Sequence, residues 1–169
     1  QHTEGVADLR EAIRLASDHL EARWLLTMAI AQKSPDEATR LLEEIVAREP
    51  DSFHARLGLA GAYRMLGRLS EARRILDQLS NGKSDDVAVL IESGLLSLDE
   101  GKLDVAERSL SRVLELAPNS APALFAMSRC QQLAGRPDQA EKYRQRFEQQ
   151  AAVRNREVAP MPDSSRDDN

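Results

Sequence analysis

Few residues of this chain are of types that do chemistry, and their spacing argues against it. In 169 residues there are three histidines, His2, His19 and His54, and a single cysteine, Cys130. A metal site needs His, Cys, Asp or Glu at ligand spacing. None of the histidines has a carboxylate or a cysteine so placed, and His19 and His54 fall near turns between helical segments. The lone thiol excludes an intrachain disulfide and a thiolate cluster. Nothing around it would activate it, so it reads as a small buried apolar residue. Gln131 and Gln132 follow it, which excludes a haem-attachment motif. Glu43 and Glu44 are consecutive on a helix and cannot converge on one bond. Gly58-Leu59-Ala60-Gly61 lies inside a helical pattern and lacks the Lys-Ser/Thr ending of a phosphate loop. No catalytic residue, metal ligand or cofactor is assigned.

The elements that would have to position such groups repeat. Gly67 and Ala72, Gly101 and Ala106, and Gly135 and Ala140 recur at intervals of 34 residues. A period of this size marks a stack of small units rather than one closed globule. Val6, Leu9, Ile13 and Ala16 give the first segment an amphipathic helical face. Helices in pairs follow: 19–33 with 35–48, 52–66 with 68–79, 85–100 with 102–116, and 120–134 with 137 to near 154. Ser34, Pro35 and Glu37 read as a capping box with proline in the first turn. No segment alternates with the period of a strand, so the chain is read as all-α. Beyond Ala151 the pattern fades, and the polar residues from 155 to 169 read as a flexible tail.

These pairs resemble the tetratricopeptide repeat, with its 34-residue pattern of W-x2-L-G-x2-Y, A-x3-F and P. The second unit matches through Arg56, Leu59, Ala60, Tyr63, Ala72 and Leu76, with Ser84 in place of proline. The third matches through Leu90, Ser93, Gly94, Ser97, Ala106, Leu110 and Pro118. The first has Arg23, Leu26, Thr27, Ile30, Ala38, Leu42 and Pro50, with its turn between helices one residue shorter. The fourth has Leu124, Met127, Ser128, Gln131, Ala140 and Arg144, and lacks the closing proline. The resemblance implies an α-solenoid over residues 4–154. An unpaired helix at 4–17 precedes repeats at 19–51, 52–85, 86–119 and 120–154, the last with an extended capping helix. The unpaired helix implies an array that continued upstream. Small residues at 38, 72, 106 and 140 would let paired helices approach closely, and Leu42, Leu76 and Leu110 would fill the space between pairs.

In this family the first helix of each pair lines the concave surface. The residues after the first motif position are Trp24, Leu57, Ile91 and Phe125, and one turn on lie Met28, Gly61, Leu95 and Arg129. The expected partner groove is thus Trp24, Met28, Leu57, Ile91, Leu95, Phe125 and Arg129, a stripe able to take the apolar face of a partner helix. The same residues can equally be core, and for Ile91 and Phe125 core packing is the stronger reading. The positions that clamp a terminal carboxylate in some members hold Trp24, Met28, Gly58, Ala88 and Glu92. They include no cation or amide, so that mode of binding is not expected. Glu21, Glu92 and Asp99 would add an acidic rim favouring a basic partner.

Composition agrees with a binding role. Charged residues make up 30% and aromatics 4%, with a formal charge of −5 and a pI near 5.3. An acidic chain with scattered Lys and Arg does not present a phosphate-binding surface, which argues against nucleic acid as a partner. No apolar run reaches the length of a membrane span and no signal peptide is visible. The cytoplasm is favoured, with an extracytoplasmic location open if a targeting segment precedes Gln1. The expected function is a non-enzymatic scaffold or adaptor that binds a protein or peptide on its concave face. Two alternatives are a regulatory or docking segment of a longer enzyme or envelope protein, and a module for self-association.

Overall fold

The computed structural model describes residues 2–15, 20–31, 33–81 and 85–158. Expectations for Gln1, His19, the Asn81-Gly82 turn beyond Asn81, Ser84 and residues 159–169 of the tail lie outside the described residues. The described residues form nine helices and no strand: α1 His2–Leu15, α2 Leu20–Ile30, α3 Pro35–Arg48, α4 Phe53–Met65, α5 Leu69–Ser80, α6 Val87–Asp99, α7 Leu103–Leu116, α8 Ala121–Leu133 and α9 Pro137–Val158. The helix α9 runs four residues past the expected end near Arg154. Each helix packs against the next along the chain, α4 also packs on α6, and α6 on α8. This is a solenoid, in which each unit touches only its neighbours.

Two features of the sequence explain the pairing. Ala38, Ala72, Ala106 and Ala140 are 0–5% exposed, because a methyl group is all that fits where paired helices meet. Gly94 lies at the tightest of these approaches: a Cβ there would stand 2.9 Å from Cγ and Cδ2 of Leu110. The turns α4–α5, α6–α7 and α8–α9 close through Gly67, Gly101 and Gly135 at φ of 74°, 73° and 72°, a left-handed conformation glycine adopts without strain. The following amide donates back across each turn, from Arg68 to Tyr63 at 2.8 Å, Lys102 to Ser97 at 2.8 Å and Arg136 to Gln131 at 2.9 Å. This pattern stops a helix cleanly.

The first pair differs. Its turn at Ala31–Ser34 has no left-handed glycine, and the backbone amides of Lys33 and Ser34 both donate to Ile30 O. The expected capping box is not formed. Ser34 makes no side-chain cap bond, and Arg10 from α1 takes the Glu37 carboxylate at 2.9 Å. A bidentate guanidinium is the stronger partner for that carboxylate. Asp86 is the side chain that does cap, accepting from the amides of Ala88 and Val89 at 3.0 and 3.2 Å.

The core runs as successive layers. Leu26, Ile30, Ala38 and Leu41 gather Val6, Leu9 and Ile13 of α1. Leu42, Leu59, Tyr63, Leu76, Val89 and Leu96 form the next layer, and Leu98, Leu110, Val113, Met127 and Cys130 the last. The helix α1 spends its large apolar residues on α2. Gly5, Asp8 and Ala12 stand where α3 buries Ala38, Leu41 and Ile45, and a Cβ at Gly5 would meet nothing within 4 Å.

Polar staples lock consecutive pairs at one recurring place. The Tyr63 hydroxyl donates to Glu43 at 2.8 Å. Arg73 reaches Glu100 at 2.6 Å and Ser97 at 3.4 Å. Glu107 accepts from Gln131 at 2.9 Å and Arg136 at 2.6 Å. Tyr63, Ser97 and Gln131 lie 34 residues apart, so one register position serves three junctions with different chemistry. Hydrogen bonds from Arg136 and then Gln131 hold the Glu107 carboxyl below the usual carboxylate range, against a smaller opposing effect of burial.

Two outcomes test this packing. Gly94→Ala should lower stability by about 1–3 kcal/mol, since Leu110 has no room to retreat, even though alanine is the better helix former; urea denaturation measures it. A carboxylate with a depressed folded pKa contributes stability that is present above its unfolded pKa and lost as pH falls through the folded value. The urea midpoint should therefore drop below about pH 4. Glu107→Gln should be less stable near neutrality and show a flatter decline on acidification.

Candidate functional site

The first helices α2, α4 and α6 would be expected to lie side by side. While α4 packs on α6, no Cα of α2 comes within 8 Å of one in α4 among the described residues. The gap is an open groove of about 420 Å³. Trp24 and Met28 of α2, with Ala31 just after it, form one wall, Leu57, Met65 and Ile91 of α4 and α6 the other, and Ala38 and Leu42 of α3 the floor. The lining is mostly apolar. Gly58 and Gly61, one turn apart on α4, leave the wall smooth, and the Trp24 ring lies 3.9 Å from where a Gly58 Cβ would be. Met28 and Met65 are 64% and 56% exposed.

At the α6 end the charges satisfy one another. Arg64 donates to Glu92 at 3.2 Å and to Asp99 at 3.0 Å, and Arg129 donates to Asp99 at 3.3 Å. The expected acidic rim is corrected accordingly: Glu92 and Asp99 are neutralised by arginines of α4 and α8. Glu21 stands elsewhere, in a smaller hollow of about 280 Å³ between the N-terminal ends of α2 and α4, with Glu49, Ser52 and Ala55. Trp24 and His54 border both hollows.

Of the seven residues expected in the groove, four come together: Trp24, Met28, Leu57 and Ile91. Leu95 packs toward the α7–α8 core. Phe125, for which core packing is the stronger expectation, is instead 56% exposed. It lies against Phe147 of α9 with ring centroids 5.7 Å apart, and Arg129 is held by Asp99. Trp24 serves groove and core at once, since it also packs against the buried layer around Leu59. Arg23, at the family's aromatic position, is 5% exposed and donates to Glu44 at 2.8 Å. The clamp-position residues Trp24, Met28, Gly58, Ala88 and Glu92 all line the groove. Sequence reasoning missed the floor, Ala38 and Leu42, together with His54 and Met65. The signal that pointed there was the shortened turn of the first unit.

The other reactive side chains are spread out. Among the described residues no three of His, Cys, Asp and Glu gather as a metal site. Burial, and then the Glu107 charge, push the Cys130 thiol above its ordinary range, and its S–H points to Leu103 O at 3.6 Å. His54 sits edge-on to the Phe53 ring. No described helix is long and apolar enough to cross a membrane.

Helix pairs of one register, stacked with an open groove on the first-helix side, define a helical-repeat interaction scaffold. The sequence profile of the tetratricopeptide repeat family matches residues 29–90 and 97–152, and the chain belongs to that family. A curated relative, cellulose synthase operon protein C of Xanthomonas axonopodis pv. citri (strain 306), is 29% identical over 77% of this chain. The chain spans 10% of that relative's length. The fold is similar to that of a crystal structure of MamA (TM-score 0.66, 16% identity, 89% of each chain covered). It is also similar to MamA 41-end from Desulfovibrio magneticus RS-1 (0.68, 13% identity, 94% of this chain and 88% of that one). PilW, a type IV pilus biogenesis factor, matches at 0.75 and 20% identity over 90% of this chain and 71% of its own. Tetratricopeptide repeats are interaction modules that bind proteins or peptides and generally carry no catalysis.

A glycine of the groove and one of the core separate access from packing. The nearest atoms a Cβ at Gly61 would meet are those of the Glu92 carboxylate, from 3.4 Å. Gly61→Ala should thus stabilise the helix by roughly 0.5–1 kcal/mol, opposite in sign to Gly94→Ala. Thermal denaturation of the two variants side by side checks this.

Proposed function

We propose that this chain is a non-enzymatic scaffold that holds a partner protein segment in the groove between α2, α4 and α6. The array in this reading comprises repeats at 19–51, 52–85, 86–119 and 120–154 behind the helix of 4–17. The single observation that carries the proposal is the separation of α2 from α4. It leaves Met28, Met65 and one edge of Trp24 in water beside an apolar floor, where a stack at ordinary spacing would cover them. Exposed apolar surface that is concave and bordered by polar groups is what a recognition site offers. Methionines suit it, because their unbranched side chains adapt to varied contacts.

A photo-crosslinking residue at Met28, compared with one at the exposed Arg108 of α7, tests this in the native host. One defined polypeptide should be captured from position 28 and none from 108. Met65→Glu should reduce that capture about tenfold or more, because a carboxylate would be forced into an apolar contact. Equal capture from both positions would remove the groove proposal.

A second reading is favoured by the Xanthomonas relative: the array is the docking segment of a longer protein that works beside a cellulose synthase. Cellulose output of the native host should then fall when Met28→Glu and Met65→Glu are combined in the chromosomal gene. Unchanged output would discard this reading and leave the first intact.

A further inference from the structure

The groove and the smaller hollow adjoin at Trp24 and His54, and the two differ in charge. At the α6 end Arg64, Glu92, Asp99 and Arg129 form a closed set of ion pairs. At the other end the carboxylates of Glu21 and Glu49, both exposed, enter no hydrogen bond or ion pair among the described residues. Arg23, beside Glu21 in sequence, is turned inward to Glu44. Among the described residues, His54 is the only basic side chain bordering the smaller hollow. The two hollows, adjoining at Trp24 and His54, thus offer a slot with an apolar, charge-neutral half and a half with two carboxylates that have no partner among the described residues.

We infer that the occupant is a protein segment carrying an apolar stretch followed or preceded by lysine or arginine. Its apolar side chains would lie between Trp24 and Ile91, over Gly58 and Gly61, and its basic group would reach Glu21 and Glu49. The inference rests on the groove being the partner site. It goes further by assigning selectivity to the carboxylates. Two flexible methionines discriminate poorly among Leu, Met and Phe, so the charged end must choose the partner and its direction.

The test is random-peptide display against the full chain, run in parallel with Glu21→Gln/Glu49→Gln, both at exposed sites, so that folding is preserved. Trp24 is the only tryptophan, and its fluorescence reads occupancy directly. Selected peptides should combine a hydrophobic cluster with Lys or Arg at one end, and should lose binding to Met28→Glu. The double Gln variant should bind them about two- to fivefold more weakly per carboxylate removed and should select no basic residue. Peptides that depend on Met28 but show no basic preference would overturn the charge assignment and leave the groove standing. Selection of no Met28-dependent peptide would overturn both. A wild-type dimer in light scattering that Met28→Glu converts to monomer would assign the slot to a second copy, and the inference would fall.

Discussion

A close approach of paired helices, possible only where the side chain is a methyl group or less, governs the rest of this structure. No single helix here can bury its apolar face alone, and the pairs are joined by short turns. Ala38, Ala72, Ala106 and Ala140 bring the two members of each pair together, and Gly94 brings α6 onto Leu110 closer still. Leucine, isoleucine and valine then fill the remaining space between successive pairs, where a globule of this size would use rings. With aromatics at 4% of the chain, few rings are available for anything else. Trp24 and Phe125 lie at or near surfaces that the stack does not close.

Because stability accumulates junction by junction, a local irregularity need not propagate. The first pair has a shorter turn without a left-handed glycine, and α2 stands away from α4. The neighbouring junctions keep their contacts and their staples. The groove is therefore a feature the array can carry at modest cost: α1, α2 and α3 share their own core layer, and the layer around Leu59 and Leu76 is built by α3, α4, α5 and α6, with Trp24 alone reaching it from α2.

Electrostatics follow the same division. Charged side chains that meet the recurring position of Tyr63, Ser97 and Gln131 are consumed by the structure: Glu43, Arg73 and Glu107 each join one pair to the next. On the concave side Arg64 and Arg129 neutralise Glu92 and Asp99, which leaves the α6 end of the groove without net charge. Glu21 and Glu49, whose carboxylates enter no hydrogen bond or ion pair among the described residues, are at the end where the regular spacing fails.

The primary structure by itself determined the all-α class, the 34-residue register, the turn glycines and the alanine seam. Each depends on contacts between residues near in sequence or related by the period. The resemblance of its repeats to the tetratricopeptide family also placed Trp24, Met28, Leu57 and Ile91 on one expected surface. It could not distinguish those four from Leu95, Phe125 and Arg129, which occupy equivalent register positions. Only the tertiary structure separated them. Whether an apolar residue on a first helix faces water, a groove or a neighbour depends on the distance to the next first helix, and that distance is set by packing across several units. For the same reason the pairing of Arg10 with Glu37, which displaced a local cap, and of Arg64 with Glu92 and Asp99 was decided by helices remote in sequence.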